Sequence, residues 1–243
     1  MYRKKVIIVK VRVLDPWLKG NGSVTSKNFY GQNNPDIKQG AFIALDIAID
    51  LHLANTVDTG NLKDSWNKTK AYIEQACDIA NVDSENDFDL DHEEQYWILS
   101  ELGAPPECCY NIYIITVYNE YEEKIVYIGK TDAKESRFKN GHLAALKLHD
   151  PKYKKYYKRV YFGMVMFLDS DKEHIPLEFI TPYSMAEQYL GEMEAVLINH
   201  FAPELNTKNE RINILNGIGV IHIQNFTDVS DFLHDYFITV ITT

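Results

Sequence analysis

The chain has 243 residues, enough for one large domain or two small ones with a buried core. Apolar residues make up 45% and charged residues 25%, which excludes collagen-like, coiled-coil and wholly disordered proteins. The net charge of −10 excludes a uniformly basic binder of nucleic acid. Three cysteines are too few for a disulfide framework or a four-ligand zinc site, so we expect a reducing, cytoplasmic location. No stretch approaches the ~20 apolar residues of a membrane helix, which predicts no membrane partner.

The first 106 residues are predicted to form a strand followed by helices. Alternating apolar side chains predict the strand at 6–14, and the Gly-, Asn- and Ser-rich stretch 19–40 predicts a loop. Helical periodicity follows at about 41–54 and 61–80. The first of these helices is apolar on most of its circumference, so we expect it to be deeply buried. Segment 1–106 is therefore interpreted as a strand/helical domain.

An acidic segment precedes the clearest domain boundary. Residues 83–94 contain seven acidic side chains and no basic one, which is typical of a solvated loop. Two other interpretations stay open: a calcium loop of the EF-hand type, in which Phe88 stands where glycine is needed, and a lid over a basic surface. A short helix at 93–102 then leads to a Gly-Ala-Pro-Pro sequence that ends the first segment.

The pattern then changes to short strands and amphipathic helices, within segment 107–207. We expect a hairpin with arms at 111–119 and 124–129, followed by a helix that begins after Asp132. A third strand at 160–168 and a second helix from Pro182 to Pro203 complete the segment. The order ββαβα predicts an α+β fold with a small three-stranded antiparallel sheet flanked by helices. Segment 1–106 would be a mostly helical N-terminal extension, and 208–243 a C-terminal extension.

Positive charge is concentrated in one part of the chain. Residues 124–159 contain eleven Lys or Arg and three acids, a local net charge of +8. A basic surface on an acidic molecule is typical of a protein that meets a polyanion on one face, although a lysine-rich solvated helix would give the same count. The candidate substrate-binding side chains are Lys130, Lys134, Lys139, Lys147, Lys158 and Arg159.

Several residues of segment 107–207 have side chains suited to chemistry or to close approach. They are Tyr113, Tyr127, Gly129, Arg137, Glu194 and Asn206. If the hairpin turns near residue 120, the two tyrosines lie nearly opposite each other, on the face that carries Ile115 and Ile125. Gly129 would let a backbone or ligand approach closely. Taken one at a time, the tyrosines are more typical of strand packing, Arg137 and Glu194 of a surface ion pair, and Asn206 of a turn.

Taken together, their order and spacing resemble the GIY-YIG nuclease family. The matching pieces are Asn-Ile-Tyr ending at Tyr113, Tyr-Ile-Gly-Lys-Thr beginning at Tyr127, Arg137 ten residues later, and the stretch from Glu194 to the Pro-x-Leu-Asn that ends at Asn206. The resemblance spans roughly residues 110–207, about two-fifths of the chain. Asn111 stands where the family has its first glycine, and the loop between the two half-motifs is somewhat longer than usual.

The resemblance implies a set of catalytic roles. Family members cleave phosphodiester bonds with one divalent cation, here Mg²⁺ or Mn²⁺, which Glu194 would hold. Tyr127 would act as general base on the attacking water, and Tyr113 would orient that water or share the role. Arg137 would bind the scissile phosphate, and Asn206 would hold Glu194 or a phosphate oxygen in place.

The implied activity is that of a metal-dependent endonuclease acting on DNA. The chain is similar in size and in its Glu-to-Asn spacing to the restriction endonucleases of the family. His142, five residues after Arg137, is the candidate for the histidine that the family often places one helical turn after its arginine. DNA is the expected partner, with a homodimer for an enzyme that cuts both strands of a palindromic site. In this interpretation, segment 1–106 has a role in DNA recognition or dimerisation. A structure-specific, defence or RNA-cleaving nuclease, and a non-catalytic DNA-binding protein, are the alternatives.

Overall fold

A computed structural model describes residues 40–82, 90–131, 138, 143–168, 174–206 and 219–240. The strands in these ranges are β1 (Gly40–Asp50), β2 (Ile112–Tyr118), β3 (Glu123–Lys130), β4 (Tyr157–Leu168), β5 (His174–Pro176), β6 (Val220–Asn225) and β7 (Tyr236–Thr239). The α-helices are α1 (Leu62–Ala80), α2 (His92–Leu102), α3 (Leu143–Lys147) and α4 (Tyr183–Phe201). Short 3₁₀ helices lie at Leu51–Thr56, Pro151–Tyr153 and Leu177–Phe179. None of the described helices has the length and apolar character needed to cross a bilayer.

All seven strands belong to one strongly curled sheet. Its order is β3-β2-β4-β1-β6-β7, with the short β5 paired to the end of β4. The β1–β6 pair is parallel and the other pairs are antiparallel, so the sheet is mixed. The prediction of a small three-stranded antiparallel sheet is therefore wrong. Strands from 1–106 and from 208–243 extend the sheet beyond β4, on the side away from the hairpin.

The helix predicted at 41–54 is also wrong, because β1 occupies most of that stretch. β1 lies between β4 and β6, and its neighbouring residues Ile43 and Ala44 are buried in apolar layers on opposite sides of the sheet. A strand covered on both faces needs apolar residues at every position, so it lacks the alternation that marks a half-buried strand. An unbroken apolar run of this kind is equally typical of a buried helix.

The two later helices of this part of the chain are where the sequence predicts them. The side chain of Asn61 accepts a hydrogen bond from the backbone N–H of Asp64 and begins α1. Asp91 and Glu94 form a capping box that begins α2. The predicted strand at 6–14, nearly all of the predicted loop at 19–40, and most of the acidic segment (83–89) lie outside the described residues.

The hairpin and the third strand predicted in segment 107–207 are present as β2, β3 and β4. β4 begins three residues before the predicted start at residue 160. The helix predicted from Pro182 is α4, and Pro182 directly precedes its first residue. The helix predicted after Asp132 is described only as the short α3.

The sheet separates two apolar layers. We call the side covered by α1, α2 and α4 the α4 face; it includes Ile112 and Ile114 of β2. The opposite side, the α3 face, includes Tyr113 and Ile115 of β2 together with Ala144 of α3. Successive residues of a strand point to opposite faces, so Tyr113 is directed away from the layer on which α4 packs.

Candidate active site

The two motif tyrosines are in contact on the hairpin. The ring centroids of Tyr113 and Tyr127 lie 6.0 Å apart with 26° between the ring planes, a stacked arrangement. Tyr113 pairs with Gly129, and Tyr127 pairs with Ile115, so the tyrosines are diagonal rather than directly opposite neighbours. The sequence therefore predicted the shared face and missed the register by a small shift.

A β-bulge explains that shift. Ile115 pairs with Tyr127 and the next residue, Thr116, pairs with Ile125, which leaves Val126 as an extra residue in β3. The extra residue reverses the alternation, and Ile125 packs against the α4 face instead of sharing the tyrosine face. The prediction that placed Ile125 beside the tyrosines is wrong for this reason.

Gly129 is where the chain approaches itself most closely at this site. A Cβ atom at Gly129 would lie 2.4 Å from the hydroxyl oxygen of Tyr113 and 2.9 Å from Cε1 of Tyr127. The predicted close approach at this glycine is therefore made by the tyrosine rings themselves. Any side chain here would displace at least one ring of the pair.

The two tyrosines differ in their access to solvent. Tyr113 is fully buried, and its ring also contacts those of Phe138 and Phe162, at centroid distances of 5.3 and 6.4 Å. Tyr127 is partly exposed. Tyr127 is therefore the member of the pair that can meet water, and the position of Tyr113 suits a support for its neighbour rather than a direct contact with water.

Glu194 is partly buried on α4, next to the apolar stripe that packs this helix on the sheet. Gly191 lies one helical turn before it on the same side. A Cβ atom at Gly191 would lie 3.6 Å from Nζ of Lys130, the last residue of β3. The end of β3 therefore lies close to the turn of α4 that precedes Glu194.

Asn206 attaches the chain after α4 to the hairpin. Its side-chain oxygen accepts a hydrogen bond from the backbone N–H of Ile128 at 3.0 Å, and its side-chain nitrogen donates to the carbonyl of Ile128 at 2.8 Å. The backbone N–H of Leu205 donates to the carbonyl of Val126 at 3.0 Å. Asn206 thus holds the edge of β3, which differs from the predicted contact with Glu194 or a phosphate oxygen.

Asn111 has a structural role that glycine could not fill. Its side-chain oxygen accepts a hydrogen bond from the backbone N–H of Val165 at 2.9 Å, just past the point where the β2–β4 ladder ends at Ile112 and Gly163. The side chain therefore extends the connection between the two strands by one step. A glycine at this position, as in the motif that the chain resembles, could not make this contact.

The predicted substrate-binding residues differ in their accessibility. Arg159 is buried, forms an ion pair with Glu123 at 3.0 Å, and places its guanidinium carbon 4.0 Å from the centroid of the Tyr118 ring. It supports the protein interior and does not have the surface position expected of a substrate contact. The partly buried Lys158 donates to the carbonyl of Tyr153, and Lys147 lies in the last turn of α3. Lys134, Arg137, Lys139 and His142 lie outside the described residues.

Glu194 is the metal ligand that the family resemblance implies. Within the described ranges, no group of three or more His, Cys, Asp or Glu side chains could hold an ion. A single carboxylate on a packed helix, completed by water and phosphate oxygens, is a normal arrangement for Mg²⁺ and needs no such group.

No protein-family model, curated protein or solved structure matches the chain. The resemblance to the GIY-YIG family therefore depends on the motif residues and their spacing. The geometry adds two contacts, the tyrosine pair on Gly129 and Asn206 on the edge of β3, and places Lys130 near the helix of Glu194. The tyrosine pair lies on the α3 face, whereas the helix of Glu194 packs on the α4 face.

Proposed function

We propose that the chain is a divalent-metal-dependent nuclease that hydrolyses DNA, with its active site around the outer edge of β3, which the tyrosine pair approaches from the α3 face and Glu194 from the α4 face. One observation carries the proposal. A stacked tyrosine pair that only glycine at position 129 allows lies on the same hairpin to which Asn206 anchors the helix of Glu194. The contacts join motif residues that are nearly eighty positions apart in the chain.

Each side chain has a defined task in this proposal. Glu194 holds Mg²⁺ or Mn²⁺, which stabilises negative charge on the phosphate and on the leaving oxygen. Tyr127 accepts the proton of the attacking water, and Tyr113 keeps the Tyr127 ring in one orientation. Arg137 binds the scissile phosphate through paired N–H donors. Asn206 positions α4 relative to β3.

The substrate and the assembly follow from the family resemblance. We propose DNA as the substrate, with sequence-specific cutting by a homodimer on a palindromic site. Cleavage of branched DNA, of invading DNA or of RNA is the alternative within the nucleases. We also propose a cytoplasmic location, because all three cysteines are thiols rather than disulfides.

The test compares the wild-type chain with Glu194→Gln on plasmid and genomic DNA in Mg²⁺. Loss of the metal ligand removes several kcal/mol of transition-state stabilisation, so we expect cutting to fall by about 10³-fold. Glu192→Gln is the matched control, because Glu192 lies on the same helix and accepts a hydrogen bond from Gln188 at its surface. Glu192→Gln should cut like the wild type.

The products separate the alternatives. Discrete fragments that need Glu194 would support a sequence-specific endonuclease, and a Glu194-dependent smear would support a structure-specific or unspecific nuclease. Cleavage of RNA without cleavage of DNA would show that the substrate is RNA. If neither is cut while DNA is still bound, the nuclease proposal fails in favour of a non-catalytic DNA-binding protein.

A further inference from the structure

The end of the sheet where β4 begins carries an exposed tyrosine beside exposed lysines. Residues 143–159 contain six Lys or Arg and one acid, although the whole chain has a net charge of −10. Tyr157 is 68% exposed, and Lys154 and Lys155 are exposed just before it. No ion pair joins either lysine to a residue in the described part of the chain. Lys152, by contrast, is paired with Glu204 at 3.0 Å.

The ring of Tyr157 packs against the ring of Tyr118, which supports it. Its centroid lies 5.4 Å from that of Tyr118, the residue with which it pairs across β2 and β4. The Tyr118 ring lies against the guanidinium of Arg159, which Glu123 fixes through the buried ion pair. An exposed aromatic ring on such a support loses little conformational entropy when another flat group stacks on it. Exposure of Tyr157 is thus combined with a fixed orientation.

This surface is within reach of a nucleic acid that occupies the candidate active site. Tyr118 lies five residues along β2 from Tyr113, which is about 17 Å in an extended strand, and on the opposite face of the sheet. At about 3.4 Å per nucleotide of one duplex strand, the separation corresponds to about five nucleotides. By the alternation of β2, Tyr118 and its partner Tyr157 lie on the α4 face, the side on which the helix of Glu194 packs.

We propose that Lys154, Lys155 and Tyr157 form a second nucleic-acid contact, which rests on the proposed nuclease function and narrows its substrate. The two ammonium groups bind backbone phosphates about five nucleotides from the cut. The Tyr157 ring stacks on an unpaired base, a contact that tolerates any sequence because every base has a flat face. The substrate is then DNA with a single-stranded segment about five nucleotides from the cleaved bond.

The experiment measures DNA binding in the Glu194→Gln background, so that cleavage does not interfere. Fluorescence anisotropy with a labelled duplex and with the same duplex carrying a short single-stranded gap gives the affinity at several salt concentrations. The variants are Lys154→Ala/Lys155→Ala, Tyr157→Ala and Tyr157→Phe. The matched control is Lys63→Ala/Lys68→Ala, which removes two exposed lysines from α1. Circular dichroism verifies that each variant is folded.

The two parts of the surface should have different effects. Removal of Lys154 and Lys155 should lower the affinity for both DNAs about tenfold at low salt. It should also reduce the slope of log affinity against log salt by about 1.5 to 2. Tyr157→Ala should lower the affinity for the gapped DNA about tenfold and that for the plain duplex less than twofold. Tyr157→Phe should bind both DNAs with the wild-type affinity. The Lys63→Ala/Lys68→Ala control should leave the affinity for both DNAs unchanged.

Three results would overturn the inference. They are equal effects of the two double-lysine variants, an equal effect of Tyr157→Ala on both DNAs, and no binding of either DNA by the parent chain. Failure here is distinguishable from failure of the nuclease proposal, because that proposal is decided by cutting with Glu194 intact. A chain that cuts normally with Lys154→Ala/Lys155→Ala and binds as before would refute only this second contact.

Discussion

Gly129 is the residue on which the geometry of the tyrosine pair depends most directly. The Tyr113 hydroxyl and the Tyr127 ring both lie where its Cβ would be. Tyr113 cannot move aside freely, because Phe138 and Phe162 enclose its ring. Close-packed interiors accommodate an added methyl group only by shifting side chains or backbone.

We therefore expect Gly129→Ala to lower the free energy of unfolding by about 1–3 kcal/mol, because it overpacks a full site. It should also lower the cleavage rate about tenfold or more, because Tyr127 loses its orientation. Urea unfolding and a plasmid-cutting time course measure the two effects. Gly219→Ala is the control, since no atom lies within 4 Å of the added Cβ there. Equal behaviour of the two variants would contradict this account of the pair.

Single residues also show what the sequence predicts and what it does not. The spacing of Tyr113, Tyr127 and Gly129 was sufficient to predict a shared face and a close approach. The count of charges predicts a surface position for Arg159, which is wrong. A count of charges does not show that Arg159 pairs with the largely buried carboxylate of Glu123. The support that Arg159 gives to Tyr118 depends on pairing between β2 and β4, which no local pattern contains.

Among the elements, the connection between α4 and β3 decides where Glu194 lies. Leu205 and Asn206 follow α4 and bond to the outer edge of β3, so the end of the helix and the strand are fixed to each other. The Asn206 amide uses both its donor and its acceptor on the backbone of one residue, Ile128. A helix attached at one end in this way carries its side chains to a defined position beside the hairpin.

Asn206→Ala should remove both of these hydrogen bonds and lower the free energy of unfolding by about 2 kcal/mol. Asn206→Asp should cost at least as much, because its carboxylate can accept from the Ile128 N–H but sets a second acceptor oxygen against the Ile128 carbonyl. Cleavage should fall with both variants, while the Mg²⁺ concentration for half-maximal activity should stay near that of the wild type. Thermal unfolding and a Mg²⁺ titration measure these effects. Undiminished stability with lost cleavage would instead show that Asn206 acts in the chemical step.

The elements of segment 107–207 were largely predictable, and β1 was not. β2 and β3 are edge or near-edge strands with a polar turn between them, so their boundaries are visible in the sequence. β1 lies at the centre of the sheet and is buried on both faces, which removes the alternation that distinguishes a strand from a helix. The bulge at Val126 was invisible for a related reason, since one extra residue changes no composition.

For the molecule as a whole, the sheet combines all three predicted segments. Ile43 of β1 pairs with Val165 of β4 and with Ile223 of β6, contacts between residues far apart in the chain. Sequence periodicity reports local structure, so it does not predict such pairings. On the α4 face, the Tyr161 hydroxyl lies 2.7 Å from Ser230 Oγ and donates to Glu123, which links the last described segment to the hairpin.

This linkage gives the stability of the whole chain a pH dependence. Burial raises the pKa of Tyr161 to about 12, whereas an exposed tyrosine ionises near pH ~10. The unfolded chain therefore loses this proton about two pH units before the folded chain does. The stabilisation is complete below about pH 10 and is lost as the pH rises from about 10 to 12, by at most about 1.4 kcal/mol per pH unit from this residue.

Urea unfolding between pH 8 and 11 measures the effect. Tyr161→Phe should be less stable at pH 8, because the hydroxyl network is lost, and should show a shallower alkaline decline. Part of the decline should persist, because burial and the nearby Asp46 also raise the pKa of Tyr110. An identical pH slope in the wild type and in Tyr161→Phe would exclude Tyr161 as a source of the dependence.

The central claim is that the carboxylate of Glu194 holds the metal ion that drives DNA cleavage. The most direct measurement is the Mg²⁺ dependence of plasmid cutting for the wild type, Glu194→Asp and Glu192→Asp. Mg²⁺ tolerates little change in ligand geometry, so the shorter side chain at 194 should raise the half-maximal Mg²⁺ concentration about tenfold or more. Glu192→Asp should match the wild type. The claim is contradicted if all three chains titrate alike, or if the wild type cuts no nucleic acid at any Mg²⁺ concentration.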